Sequence, residues 1–308
     1  MVDIVVIGSL NMDLVVKTER MPKGGETIRG EDLKTIPGGK GANQAAAVAL
    51  LGNSVGMVGR VGGDAFGQTL IENLKKIKVE TNFVKIDPST STGTAVIIVD
   101  KNGQNSIVVS PGANGKVILQ DIDEAERLFK SARMMILQFE IPIKAVEYAI
   151  QIARRNAVKV ILNPAPALSV EIGLLRQADY LVPNESELQI LSGIEVKDTA
   201  SAETAGKKLV AQGVPVLIVT MGERGALLFN QGKTMLIPAR QVKAVDTTAA
   251  GDAFIGGFAS ALVKGQALED AVRFGCAAGS LAVTRFGAQT SLPTIQEVEA
   301  FLNENEGV

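Results

Sequence analysis

Val216-Leu217-Ile218-Val219-Thr220, running into Met221-Gly222-Glu223-Arg224-Gly225, is the stretch on which the fold turns. Its β-branched residues form a continuous apolar run instead of an apolar–polar alternation, and a glycine-punctuated turn ends it. That pattern belongs to a strand buried on both faces. Just before it, Ala202 to Ala211 carries a helical pattern, and the same rhythm recurs along the chain. Asp3 to Ile7, Val55 to Val61, Met134 to Leu137, Val158 to Leu162 and Tyr180 to Val182 read as further strands. Val146, Ala149, Ile150 and Ala153 stand at i, i+3, i+4 and i+7, the stripe of an amphipathic helix. Phe66 to Ile77, Gly251 to Lys264 and Leu268 to Val283 behave alike. Strands alternating with helices predict an α/β fold, a central, mostly parallel sheet flanked by helices.

Two regions interrupt the rhythm, Asp13 to Pro37 and Thr92 to Ser110. In the second, Gly93 to Asp100 is followed by Lys101-Asn102-Gly103 and a further strand from Ser106 to Val109. Asn-Gly between β-rich runs signals a hairpin. The inserted segments, about 10–37 and 92–110, are expected to form a small accessory sheet on a single domain spanning 1–308. No repeat, low-complexity tract or linker divides the chain.

Composition narrows the chemistry. At 308 residues and 46% apolar, the chain can bury a large core. Its 31 basic and 33 acidic residues leave a net charge of -2 with no basic block, so neither nucleic acid nor a membrane surface is an expected partner. The absence of histidine excludes every His-based metal site or triad, and the single Cys276 excludes an internal disulfide. Asp3 sits where a signal peptide would carry a basic residue, and no run approaches the roughly 20 apolar residues of a membrane span, so a cytoplasmic location is expected.

The sharpest chemical segment is Val245-Asp246-Thr247-Thr248-Ala249-Ala250-Gly251-Asp252-Ala253-Phe254. Small residues precede a helical pattern, so the N–H groups of Ala249, Ala250, Gly251 and Asp252 stand at a helix N-terminus, where an anion is favoured. A carboxylate in that turn repels a bound phosphate but suits a base that takes a proton from an attacking hydroxyl. Asp at a helix start is commonly only a cap. The glycine-rich approach and the neighbouring segments favour the base.

Pro37-Gly38-Gly39-Lys40-Gly41-Ala42-Asn43-Gln44 opens an Ala-rich helix with glycines that allow close backbone approach, and Lys40 and Asn43 offer donors to hydroxyl groups. It is not a P-loop, because Gly41 follows Gly-Lys where Ser or Thr is required. Asn11 and Asp13, after the first strand, are placed for vicinal hydroxyls at the sheet edge. Glu140 adds a carboxylate, although a lone Glu there is commonly just a solvated loop residue. Asn184 and Glu187, three apart at a helix start, face one way and suit both a capping box and a water-mediated Mg²⁺. No G-x-G-x-x-G follows the first strand, which removes a dinucleotide-binding reading.

Taken together, these motifs resemble the ribokinase-like, phosphofructokinase-B type family of carbohydrate kinases from about residue 3 to 303. The most specific are Gly38 to Gln44 and Asp246 to Asp252. Asn163-Pro164-Ala165-Pro166-Ala167 and Thr284-Arg285-Phe286-Gly287-Ala288-Gln289 resemble the ribose kinases of the family more than its other members. The resemblance implies a three-layer fold with a small β lid, often the dimer contact, and ATP-dependent phosphorylation of a sugar, D-ribose first, with deoxyribose, another pentose or hexose, or a nucleoside as alternatives. A sugar-binding regulator without catalysis is the alternative of another class. Carried over, it implies sugar contacts from Asn11, Met12, Asp13, Gly39, Lys40, Gly41, Ala42, Asn43 and Glu140, with Ala95 on the lid. It implies nucleotide contacts along Asn184, Glu187, Thr220, Met221, Gly222, Glu223, Arg224 and Gly225, an anion hole from Ala249 to Gly251, and Asp252 as base. A potassium ion is implied against Asp246, Thr248, Ala282, Arg285, Gly287 and Ser291, mostly through carbonyls. Cys276 falls near the adenine, where relatives carry other side chains, and its preferred reading is a buried structural thiol.

Overall fold

The computed structural model describes residues 1–304. Thirteen strands lie among them: β1 Ile4–Ile7, β2 Asn11–Lys17, β3 Lys34–Gly38, β4 Val55–Gly62, β5 Glu80–Asp87, β6 Gly93–Val99, β7 Asn105–Ser110, β8 Met134–Leu137, β9 Lys159–Leu162, β10 Tyr180–Leu181, β11 Val216–Thr220, β12 Ala226–Asn230 and β13 Lys233–Ile237. Nine build one sheet in the order β13-β12-β11-β10-β9-β8-β1-β4-β5, and four build a second, β3-β2-β6-β7. From β5 across to β11 every neighbouring pair is parallel. β12 and β13 add an antiparallel edge.

β1 shows why the large sheet is covered twice. Successive side chains of a strand point to opposite faces, and all four residues of β1 are buried. Ile4 and Val6 join a core with Ala46, Val48, Phe258 and Ala278, from the helices Lys40–Leu50, Ala250–Val263 and Leu268–Ala282. Val5 and Ile7 join a second core with Val146, Ala149 and Ile150 of the helix Ile143–Arg155. A strand serving two cores must be apolar throughout, which is why the continuous runs were legible as a sandwiched sheet. The expected strands and helices are all present, with ends shifted by a few residues.

Three features depart from the reading of the sequence. β5 was not expected, and neither was the β12–β13 hairpin, whose turn at Gln231 (φ 49°) and Gly232 (φ 77°) has both residues left-handed. Gln-Gly lacks the usual Asn-Gly signature of such a turn, so the signal was weak. Asn11 and Asp13 lie not at the edge of the large sheet but on β2, the strand that enters the small sheet, within the segment expected to form it. No helix among the described residues is long and apolar enough to cross a membrane.

Gly41, in the first turn of the helix Lys40–Leu50, packs on the backbone that links β1 to β2. A Cβ there would lie 2.7 Å from the Gly8 carbonyl carbon and 2.7 Å from the Ser9 nitrogen, both backbone atoms that cannot step aside. Alanine would bring about 1 kcal/mol of helix propensity, but overpacking against fixed backbone costs about 1–3 kcal/mol. The clash wins, so Gly41→Ala is expected to lower the midpoint of denaturant unfolding with an unchanged m-value. A raised midpoint would contradict this packing.

Candidate active site

Two helix N-termini converge at the C-terminal edge of the large sheet. The helix Lys40–Leu50 brings Asn43 and Gln44, and the helix Ala250–Val263 brings Asp252 in its first turn. Asp252 is buried, and its two carboxylate oxygens are each held by an amide: Asn43 Nδ2 donates to Oδ2 at 2.9 Å and Gln44 Nε2 donates to Oδ1 at 2.9 Å. Burial pushes its carboxyl above the usual carboxylate range, against the pull of Lys40 and of both amides. Asp252 makes no ion pair within 4 Å among the described residues. It faces a cavity of about 190 Å³ that is also walled by Lys40, Asn163, Thr247, Thr248 and Gly251.

Lys40 is surrounded by carboxylates. Burial works to lower its ammonium, yet Asp252, Glu140, Glu187 and Asp13 outweigh it and hold the group above its ordinary value. Its backbone N–H donates to Glu140 Oε2 at 3.1 Å, and the Ser9 hydroxyl donates to the same oxygen. Glu140 is therefore anchored at the helix start and is not a free loop residue. Asp13 is pushed up to about 7 by burial first, then by the charges of Glu140 and Asp252, with Lys40 opposing. Gly38 leaves room for it, since a Cβ there would lie 2.3 Å from Asp13 Oδ2. Asn11, Asp13, Asn43 and Glu140 are not walls of the 190 Å³ cavity; Asn43 adjoins it through Asp252 and Glu140 through the Lys40 backbone, and Asp13 feels the charges of Asp252 and Lys40. Ala95 pairs with Asp13 across β2 and β6.

Several expected sugar-side residues prove structural. Met12 points away from Asn11 and Asp13 into the core, as strand alternation demands. Gly41 packs on β1, and Ala42 is fully buried in the core. Gly39, at φ 89°, is the turn that lets the helix start beside the Asn11 nitrogen. Sequence reading gave no role to Ser9, Gln44, Gln138, Asn163 or Asn114. Gln138 Nε2 donates to Gln44 Oε1 at 2.5 Å, and Gln44 Nε2 lies 3.3 Å from Asn163 Oδ1. Asn163 carries the same sequence signal as Asn11, a polar residue ending an apolar run at the sheet edge.

A larger cavity of about 590 Å³ shares Asn184, Thr220, Thr247 and Gly251 with the first. Gly222, Glu223, Gly225, Ala250, Cys276 and Gly279 complete much of its wall. Met221 is buried in the core instead, and Arg224 is not among the lining residues, although it pairs with Glu185, which is. Ala249 caps the helix from within the core, whereas a Cβ on Gly251 would meet nothing within 4 Å, so its backbone is open to a ligand. Thr247, which was not singled out, borders both cavities. Cys276 is buried, and burial pushes its thiol up to about 12, which keeps it protonated.

Asn184 caps the helix Glu185–Ser192 in a reciprocal capping box: its Oδ1 accepts from Glu187 N–H at 2.8 Å, and Glu187 Oε2 accepts from Asn184 N–H at 2.9 Å. Burial raises the Glu187 carboxyl. Among the described residues no three His, Cys, Asp or Glu side chains cluster to hold a metal. Asp246 ties two loops together, accepting from Thr248 N–H at 3.0 Å through Oδ1 and from Gly287 N–H at 3.0 Å through Oδ2. It has no basic partner within 4 Å among the described residues. The Arg285 guanidinium turns to Glu297, the Ala282 carbonyl accepts from Arg285 N–H at 3.2 Å, and Ser291 Oγ donates to Ala288 O at 2.8 Å.

A buried carboxylate, a helix N-terminus open at Gly251 although Ala250 N–H donates to Thr247 O at 3.3 Å, and two cavities that share walls describe a centre for two small substrates, one of them anionic. The chain belongs to the pfkB family of carbohydrate kinases, whose model matches residues 1–295. It is similar to the ribokinase of Schizosaccharomyces pombe, 43% identical with 98% of each chain covered. It is 41% identical to the deoxyribokinase of Salmonella typhi, covering 99% of this chain and 100% of that one. Among solved structures it is similar to Arabidopsis thaliana ribokinase complexed with ribose and ATP, with a TM-score of 0.90 at 36% identity and coverage of 98% and 99%. The ribokinase-like fold expected from the sequence is the observed one.

Proposed function

We propose that this chain phosphorylates D-ribose with ATP, giving ribose 5-phosphate and ADP. The observation that carries the reading is Asp252: a buried carboxylate aimed by two amides, one turn inside a helix N-terminus, where the two cavities join. Asp252 takes the proton of the primary hydroxyl as its oxygen attacks the γ-phosphorus in line. The Ala249–Gly251 turn offers backbone N–H groups and the positive end of the helix to the migrating phosphoryl group. Lys40, kept protonated by its carboxylates, adds positive charge beside that path.

Asn11, Asp13, Lys40, Asn43 and Glu140 are the sugar contacts of this reading, with Gly39 as the turn that sets the helix start beside them. The buried Asn43 Oδ1, which has no partner among the described residues, is offered in this reading as an acceptor for a hydroxyl. The larger cavity, of a size suited to a nucleotide, takes ATP between Thr220–Gly225 and Cys276. Mg²⁺ fits as a companion of the phosphates, reached by Asn184 and Glu187 through water, since no carboxylate cluster is present among the described residues to hold it alone. Potassium is proposed beside Asp246, which has no basic partner among the described residues and ties Thr248 to Gly287, with carbonyls of the Ala282–Ser291 segment as further ligands; there it would stabilise the anion-hole turn electrostatically. On the outer strand β7, Ile107, Val108 and Val109 are exposed at 52, 70 and 51%, beside Val96 on β6, and this apolar patch is proposed as a homodimer contact through the lid. Such an ATP-using enzyme is placed in the cytoplasm.

Deoxyribose is the second reading, prompted by the deoxyribokinase relative. Comparing kcat/KM for ribose, 2-deoxyribose and adenosine decides between them. Ribose is expected to lead, adenosine to be nearly inert, and turnover to be faster in potassium than in sodium. A preference for 2-deoxyribose overturns the sugar assignment, equal rates in both salts overturn the potassium site, and no ADP release with any sugar leaves only a binding protein.

A further inference from the structure

We infer that Asn114 is a positioning residue for sugar recognition, fixing the side-chain amide of Asn11 with its N–H₂ toward the sugar and its oxygen turned away. The inference rests on the reading above. It starts from backbone atoms whose chemistry is not in question. Leu10 N–H donates to Asn114 Oδ1 at 2.9 Å, and Leu10 C=O accepts from Asn114 Nδ2 at 3.1 Å. A donor must meet an oxygen and an acceptor a nitrogen, so these two contacts settle which way the Asn114 amide faces. Its Nδ2 has a second hydrogen, directed to Asn11 at 2.7 Å, and that hydrogen must find an oxygen. Asn11 is thereby held with Oδ1 on Asn114 and Nδ2 on the opposite side, without a protein partner among the described residues.

Where that free donor points follows from the strand. Asn11 and Asp13 are two apart on β2 and share a face, while Met12 between them enters the core. Asp13 and Glu140, when ionised, only accept hydrogen bonds. A sugar hydroxyl on this face can donate to Asp13, and its own lone pairs then need a donor. Asn11 Nδ2 supplies one; an inverted Asn11 would set two acceptors against the same hydroxyl. Asn11 and Asn114 are 4% and 1% exposed, so water cannot easily restore a lost partner.

The clasp also gathers the strands that enter and leave the small sheet. Asn11 begins β2, and Asn114 follows β7 in the turn Gly112–Lys116. Gly93, which begins β6, passes so close that a Cβ would lie 2.2 Å from Asn114 Nδ2 and 2.3 Å from Asn11 Oδ1. The lid is thus pinned where it presents its first sugar contact.

Asn114→Asp tests the role. The carboxylate introduced there can still accept from Leu10 N–H, but its other oxygen would face both Leu10 C=O and Asn11 Oδ1 and turn that amide over. Ribose KM is expected to rise about tenfold or more, with kcat at saturating ribose within about threefold and ATP KM unchanged. Asn11→Asp, which also puts an oxygen toward the sugar, is expected to raise ribose KM similarly. A wild-type ribose KM in Asn114→Asp, or ribose and ATP KM rising together, overturns the inference. Should that variant not fold, the wild-type chain decides by ¹⁵N NMR. The Asn11 side-chain amide resonance, identified by its loss in Asn11→Asp, is expected to shift when ribose is added without nucleotide. Ribose binding with that resonance unmoved overturns the role of Asn114 alone, whereas no ribose binding at all overturns the proposed function with it.

Discussion

Asp252→Asn is expected to lower kcat by a factor on the order of a thousand or more while ribose still binds. Asparagine has nearly the same shape but cannot take the proton of the attacking hydroxyl, and a thousandfold corresponds to about 4 kcal/mol of lost transition-state stabilisation. The substitution also sets the new amide N–H₂ against one of the two donors that hold the carboxylate, Asn43 Nδ2 or Gln44 Nε2. It removes a buried charge at the same time, so the fold is not expected to fail. Steady-state kinetics paired with calorimetric ribose binding separate the effects: kcat collapses and ribose affinity changes little. The acid limb of kcat at saturating ribose in the wild type belongs to the same group, whereas kcat/KM also carries the titration of Asp13. Because burial raises the Asp252 carboxyl, the rate falls as pH drops from above the ordinary carboxylate range. Near-normal turnover of Asp252→Asn would remove the base from the account.

Asp13→Asn has two effects of opposite sign. In the folded chain the Asp13 carboxyl keeps its proton up to about 7, against 3.8 for the free group. Between those values the native state holds more protons than the unfolded one, so this group's contribution to stability declines as pH rises through the window and is fully unfavourable above it. Replacing Asp13 removes that cost. The free variant is expected to melt higher than wild type at pH 8, by on the order of 1 kcal/mol or a few degrees, with the gap closing near pH 4. Ribose recognition suffers, because a hydrogen bond to a charged acceptor contributes about 1.5–3 kcal/mol, so the loss of one or two raises KM by about ten- to a hundredfold or more. Thermal melts at both pH values and ribose KM check the pair. An unchanged KM would take Asp13 out of the sugar site, and a lower melting temperature at pH 8 would contradict the strain assigned to its burial.

The sheet was legible because its energetics are local to each strand. A segment such as Val216 to Val219, apolar at every position, has to be covered on both sides wherever it ends up. The β12–β13 edge was hidden because Gln231 adopts a left-handed conformation that sequence rules reserve for Asn and Gly. At the site, motif reading located Asp252, Lys40 and Asn43 through their glycine approaches. It missed Gln44, whose amide reaches a carboxylate 208 positions away in the chain, and Asn114, which in Pro111-Gly112-Ala113-Asn114 reads as an ordinary turn residue. Met12 and Met221 were drawn in by their neighbours, although the pleat of a strand and the packing of a core turn both inward. Motifs mark backbone approaches well; which side chains meet across the fold depends on long-range packing.

Phosphorus NMR of the chain with ribose, ATP, Mg²⁺ and K⁺ tests the central claim most directly. ADP and ribose 5-phosphate should accumulate in equal amounts with the wild type and at least a thousandfold more slowly with Asp252→Asn. ADP with inorganic phosphate but no sugar phosphate, or equal rates from the two proteins, would contradict it.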